Sequence, residues 1–231
     1  MPPGWLALSD IIAVLDDERS LDDLRRYFAT GPKFCLFTGS KFEALGGDSK
    51  GMFRDVVTAE DLIAVEMLSV RVPPMVALEL LQGELGQQIS DELREIPIAV
   101  DLSDERAKRY IDDSGPADRA WHLLVGCHGV NKTIAGKLLA RKRPRLIPVY
   151  DNVVACALRG RRGFWLWLYD QLRADGFSLT HRLRRLRAEA GIPTLVSDIR
   201  VLDVVIWMRH QPQHQRKNCP GMTVTSRAAE L

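Results

Sequence analysis

The segment with the strongest chemical signature spans residues 121–160, WHLLVGCHGVNKTIAGKLLARKRPRLIPVYDNVVACALRG. Two helical patterns separated by a short turn, Gly129-Val130-Asn131, predict a helix-hairpin-helix. Such a turn exposes backbone N–H groups at the start of its second helix, where they can bind a DNA phosphate. Basic side chains that could strengthen this binding lie on or beside that helix: Lys132, Lys137, Arg141, Lys142, Arg143 and Arg145. The segment is therefore predicted to bind the DNA backbone.

The same segment resembles the helix-hairpin-helix DNA glycosylase superfamily, which includes endonuclease III-like, adenine-mismatch and alkylbase glycosylases. Gly129-Val130-Asn131 matches the family's G-V-G turn, and Ala135-Gly136 falls in the K-T-A or S-T-A stretch that follows it. Asp151, sixteen residues after Ala135, matches the aspartate of the family's V-D or L-D pair. The whole chain is also similar to a bacterial family of unknown function, through residues 37–43 and 135–151.

Asp151 is implied by this resemblance to be the catalytic residue. Cleavage of an N-glycosidic bond builds positive charge on the deoxyribose, and a fixed carboxylate can stabilise that charge and orient the attacking water. The target base would leave the stack and enter a pocket. Asp151 is equally suited to cap the helix that follows it, since Asp is a favoured N-cap. Both interpretations remain open at this level, and the two roles are compatible.

Two positions depart from the family pattern. Asn131 replaces the second hairpin glycine, a position that asks for a left-handed backbone, which Asn tolerates better than most residues do. Thr133 occupies the position of the Schiff-base lysine, Lys132 would point about 100° away from it, and Lys137 lies one turn beyond. The resemblance therefore implies a monofunctional glycosylase without strand-cleaving lyase activity, and its DNA-contacting residues would be Gly129, Asn131, Lys132, Thr133, Lys137, Arg141 and Arg143.

Candidates for a pocket that holds the flipped base are aromatic, because rings stack on bases. They are Phe37, Phe42, Trp121 and Tyr150, each of which is also a good core residue. The polar segment at residues 37–43 could form a loop that presents Glu43 as a second carboxylate, or an ordinary connection.

The charges are distributed unevenly along the chain. Residues 1–115 hold 22 acidic and 12 basic side chains, whereas residues 116–231 hold 8 and 20, although the net charge is only +2. A basic face that binds a polyanion would produce this asymmetry. Two complementary surfaces that pack against each other would produce it equally well.

No cofactor or metal is expected from the sequence. The four cysteines, Cys35, Cys127, Cys156 and Cys219, are scattered without a C-x-x-C pair and are interpreted as free thiols. No apolar run is long enough to span a membrane, and the N-terminus lacks the pattern of a signal peptide, so we expect a cytoplasmic protein. The oligomeric state is left open.

Helical patterns run through nearly the whole chain, with strand signals only at residues 33–38 and 146–150. Helix starts are indicated by caps at Ser20, Thr58, Ser178 and Ser197. We predict an all-α, two-lobed helix-hairpin-helix glycosylase-like fold over residues 1–211, with the hairpin and Asp151 within 117–160, and a flexible polar tail at 212–231.

The predicted function is DNA binding with monofunctional N-glycosylase activity on a damaged or modified base of double-stranded DNA. Two alternatives belong to other classes of protein. One is a non-catalytic helix-hairpin-helix module that binds DNA, and the other is a helical scaffold or oligomerisation protein whose basic half meets another protein.

Overall fold

The computed structural model describes residues 4–29, 36–47, 53–160, 162–215 and 218–222 of the 231-residue chain. Every regular element within these residues is helical, which confirms the predicted all-α fold. In chain order the α-helices are α1 (Leu8–Asp16), α2 (Glu18–Phe28), α3 (Ala59–Glu66), α4 (Pro74–Gln82), α5 (Glu84–Arg94), α6 (Lys108–Ile111), α7 (Pro116–Val125), α8 (Lys132–Lys142), α9 (Asn152–Ala157), α10 (Phe164–Glu189) and α11 (Asp198–His210).

Contacts between helices divide them into two groups. The middle of the chain forms one group, in which α4 packs on α5, α5 on α7, α7 on α8, and α8 on α3. The two ends of the chain form the other, in which α11 contacts α2, α9 and α10, and α1 lies against α10. Buried apolar side chains from Leu6 to Met222 form one contiguous core across both groups.

The strand signals do not produce strands in the described residues. Thr38–Lys41 forms a short 3-10 helix, and residues 146–150 have no partner strand. A short apolar segment without a neighbouring strand cannot form a ladder. Residues 146–149 are instead buried in the core, and the N–H groups of Leu146 and Ile147 both donate to the carbonyl of Arg143. Residues 33–35, including Cys35, lie outside the described part of the chain.

Local capping signals are correct at two of the four expected positions. Thr58 forms a full capping box with Asp61, and the Ser197 side chain accepts from the N–H of Arg200. Ser20 is not a cap, because α2 begins two residues earlier with Asp17 as its cap, while Ser20 Oγ donates to the carbonyl of Val14. Ser178 is not a cap either: its hydroxyl is buried and has no hydrogen-bond partner among the described residues.

The predicted flexible tail after residue 211 is wrong for residues 218–222. Met222 is buried, and its N–H donates to the carbonyl of Ala157 at the end of α9. The segment is held by this contact with α9, which its polar composition did not indicate. No helix in the described residues is long and apolar enough to cross a membrane.

Candidate functional site

The hairpin turn joins α7 to α8 and takes a conformation that differs from the expected one. Gly129 has the left-handed backbone, with φ of 82°. Asn131 is extended, with φ of −93°, so the expectation of a left-handed Asn131 is wrong. The reason is that Asn131 is the N-cap of α8: its Oδ1 accepts from the N–H groups of Thr133 and Ile134 at 2.9 and 3.0 Å.

Part of the predicted DNA-contacting set lies at the surface of this turn. Gly129, Asn131 and Lys132 are exposed, and Thr133 is half-buried. The side chain of Asn131 already uses two of the N–H groups at the start of α8. The N–H of Lys132 and its ammonium group are left as donors that a phosphate could approach.

The other three predicted contacts, Lys137, Arg141 and Arg143, are wrong as surface contacts. Their side chains are only 4%, 1% and 1% exposed. The cause is the packing of α8, which lies between α3 and α7 with residues 134–142 all buried. From Ile134 onward α8 has no solvent face, so these three cations cannot reach DNA.

Each of these cations instead has partners inside the protein. Lys137 Nζ donates to the carbonyl of Leu68 at 2.8 Å. Arg141 Nε lies 2.8 Å from Asp61 Oδ1, and Lys142 Nζ lies 2.6 Å from Asp61 Oδ2. Arg143 donates to the carbonyl of Ile96 at 2.8 Å and pairs with Asp55.

The uneven charge distribution is largely explained by ion pairs between the two halves of the chain. Basic residues after position 116 meet acidic residues before position 115, as in Arg141–Asp61, Arg143–Asp55, Arg145–Asp101, Arg182–Asp16, Arg200–Glu43 and Arg209–Asp17. Of the two interpretations of the asymmetry, these contacts favour complementary surfaces that pack against each other.

Asp151 caps α9 and also faces a buried lysine. Its Oδ1 accepts from the N–H groups of Val153 and Val154, each at 3.0 Å. Its Oδ2 lies 3.7 Å from Lys137 Nζ, and the Asp151 side chain is 20% exposed. The capping role that the sequence indicates is therefore present, and one carboxylate oxygen remains outside the cap.

Near this pair lies a buried cluster of charged groups on α11 and on the turn that follows the 3-10 helix Thr38–Lys41. Arg200 Nε donates to Glu43 Oε1 at 2.9 Å, and the Arg200 guanidinium also pairs with Asp203. Burial lowers the pKa of Lys137, against the opposing effect of Asp151. Burial raises the pKa of Asp203 to about 7, and the Asp151 carboxylate adds to the increase. Glu43 is thus a buried partner of Arg200, not a carboxylate presented on a loop.

The four aromatic pocket candidates all pack against the protein itself. Phe42 is buried under the guanidinium groups of Arg141 and Arg200, and Phe37 stacks on Tyr27 with ring centroids 5.1 Å apart. Tyr150 stacks on Phe164 at 3.8 Å, and burial raises its pKa to about 12. Trp121 is half-buried and meets the ring of His122 edge-on. All four rings therefore belong to the hydrophobic core or pack against it, which is the alternative that the sequence left open.

A comparison with protein families matches residues 20–210 to a family of unknown function, DUF6308. The chain belongs to this family. No curated protein and no solved structure matches it. The DUF6308 region contains the hairpin, Lys137, Asp151 and the Arg200 cluster, and it ends at His210.

Four potential metal ligands lie together around the end of α11, where the sequence indicated no metal site. Cys156, His210, His214 and Cys219 place one ligand atom each within 4.8 Å of the others. No closely spaced cysteine pair marks this cluster, because Cys156 lies more than fifty residues before the other three residues. The signal that the sequence does carry is the short spacing His210-x3-His214-x4-Cys219.

Proposed function

We propose that this protein binds DNA through its hairpin and hydrolyses an N-glycosidic bond with Asp151 as the catalytic carboxylate. The observation that carries the proposal is the position of Asp151. It stands at the start of the helix after a helix-hairpin-helix, in the register of the glycosylase superfamily, with Oδ2 free of the cap and 3.7 Å from Lys137 Nζ.

The arrangement around Asp151 suits a fixed negative charge. Two backbone N–H groups hold Oδ1, so the carboxylate cannot rotate away from the site. The ammonium of Lys137 orients Oδ2 from the protein side. A carboxylate fixed in this way can stabilise the positive charge that develops on the sugar and can deprotonate the attacking water.

Lyase chemistry is not part of the proposal. An amine that attacks the sugar must be free and able to reach it. Lys137 Nζ donates to the carbonyl of Leu68, faces Asp151 and belongs to a side chain that is 4% exposed. We assign Lys137 to positioning Asp151, in keeping with a monofunctional enzyme.

The hairpin is expected to contribute to DNA affinity mainly through Lys132. Replacing Lys132 with Glu should weaken binding to a duplex and reduce the slope of log K against log salt by about 1, because one phosphate contact is lost. The matched control is Lys108→Glu, the same charge reversal at an exposed position on α6. Fluorescence anisotropy at several salt concentrations measures both slopes. Equal slopes for the two variants would remove the hairpin from the DNA interface.

Asp151→Asn tests the chemistry. Asn caps a helix about as well as Asp, so stability should change little, whereas base excision should fall by roughly a hundredfold or more because the amide carries no negative charge. The assay uses duplexes that contain uracil, hypoxanthine, alkylated purines or oxidised bases. Asp104→Asn, which alters the cap of the 3-10 helix Glu105–Ala107, should leave excision unchanged.

The panel also separates the proposal from its alternatives. Both oxygens of Asp151 already have partners inside the protein, an observation that favours a non-catalytic module. Wild-type inactivity on every duplex with binding retained would support that module. Absence of both activity and binding would support a helical scaffold, which the internal pairing of the basic half also favours.

A further inference from the structure

The cluster of two thiols and two imidazoles joins three separate parts of the fold. Cys156 lies on α9, and His210 is the last residue of α11. His214 follows the 3-10 helix Gln211–Gln213, and Cys219 belongs to the segment 218–222 that packs against α9. Cys219 Sγ is 3.5 Å from His210 Nε2, and the four ligand atoms all lie within 4.8 Å of one another.

These side chains match what Zn²⁺ requires. Zinc prefers four ligands in a tetrahedron, with Zn–S of about 2.3 Å and Zn–N of about 2.0 Å, so neighbouring ligand atoms stand roughly 3.3–3.8 Å apart. The distance of 3.5 Å between Cys219 Sγ and His210 Nε2 falls in this range. The two remaining ligand atoms need to move inward by about 1 Å or less to close a tetrahedron.

A second observation points to the same ligand. The Nδ1 atom of His214 is buried and has no hydrogen-bond partner among the described residues. A buried nitrogen without a hydrogen-bond partner costs free energy, and coordination of a metal ion by the imidazole would remove that cost. Cys156 and Cys219 form no disulfide, so each sulfur can coordinate a metal as a thiolate.

We propose that Cys156, His210, His214 and Cys219 bind one Zn²⁺ ion that fastens the C-terminal segment to α9 and α11. Each thiol loses its proton when its sulfur coordinates the metal, and each imidazole binds as the neutral ring. All four positions of the tetrahedron are filled by the protein, so the ion is structural. The observations that support this site do not depend on the proposed glycosylase function.

The ion would support the helix that carries Asp151. Asp151 caps α9 at one end, and Cys156 lies one residue before its last residue, Ala157. The segment 218–222 already contacts this end, since Met222 N–H donates to the carbonyl of Ala157. A metal bridge from Cys156 to α11 would fix the short helix at both ends.

Metal analysis of the full-length chain tests the proposal. Wild-type protein purified without chelator should contain about one Zn²⁺ per chain, as expected for a site with four protein ligands. Inductively coupled plasma mass spectrometry measures this content. Cys219→Ser and His214→Ala should each lower the zinc content by roughly tenfold or more. Cys127→Ser and His122→Ala are the matched controls, because both residues lie outside the cluster, and they should retain the metal.

Cobalt provides a readout that depends on the ligands themselves. Wild-type protein loaded with Co²⁺ should show the visible bands of a tetrahedral ion and a thiolate charge-transfer band, and Cys219→Ser should weaken the latter. Wild-type protein without metal after zinc supplementation would overturn the proposal. So would zinc content in Cys219→Ser and His214→Ala equal to wild type, or a disulfide between Cys156 and Cys219. Because the wild type alone can fail the first test, no variant needs to fold for the proposal to be rejected.

Discussion

Asp61→Ala should lower the free energy of unfolding by about 3–5 kcal/mol, the cost of leaving buried charges without their partner. Asp61 is the shared acceptor of Arg141 and Lys142, and the three side chains are only 3%, 1% and 5% exposed. Removing the carboxylate leaves the two buried cations of α8, Arg141 and Lys142, without their anionic partner. It also removes half of the capping box that starts α3, since Asp61 accepts from the N–H of Thr58.

Guanidinium unfolding followed by circular dichroism measures this loss. The matched control is Asp22→Ala, which removes an aspartate that is 80% exposed and pairs loosely with Arg25, and it should change stability by less than about 0.5 kcal/mol. Asp61→Asn should lie between wild type and Asp61→Ala, because the amide oxygen can still accept from Arg141. A loss below about 1 kcal/mol for Asp61→Ala would show that α8 does not depend on this pairing.

The free energy of unfolding of Asp203→Asn should increase relative to that of wild type as the pH rises. The folded pKa of Asp203 is about 7, raised chiefly by burial, whereas an unfolded Asp has a pKa of about 3.9. Between these values the folded state holds a proton that the unfolded state has released. Wild-type stability therefore falls with rising pH, by about 1.4 kcal/mol per pH unit from this group. Asn cannot titrate, so the variant lacks this contribution.

The measurement is the difference in unfolding free energy between wild type and Asp203→Asn at about pH 5 and about pH 8, where it should change by roughly 2–3 kcal/mol. Contributions of groups that do not interact with Asp203 are common to both proteins and cancel in the difference. Asp22→Asn, at an exposed position, should show a difference that does not vary with pH. A constant difference for Asp203→Asn would mean that Arg200 keeps this carboxyl ionised throughout the range.

The sequence by itself determined the helical class and several helix starts. Thr58 and Ser197 cap α3 and α11, and Asp151 caps α9. These features could be predicted because a cap involves a side chain and N–H groups two or three residues away. The predictions at Ser20 and Ser178 are wrong because a serine caps a helix only when its hydroxyl can accept from the first N–H groups. The Ser20 hydroxyl donates to the carbonyl of Val14 instead, and the Ser178 hydroxyl is buried without a hydrogen-bond partner among the described residues.

Only the tertiary structure decided which charged residues face solvent and which ligands meet. The basic run on α8 has the composition of a DNA-binding face, yet Arg141 finds Asp61 eighty residues earlier and Lys137 finds Leu68. Cys156 likewise meets Cys219 only because the C-terminal segment returns to α9. Partners this distant depend on how whole helices pack, since burial of a charge requires a compensating charge that no local pattern specifies.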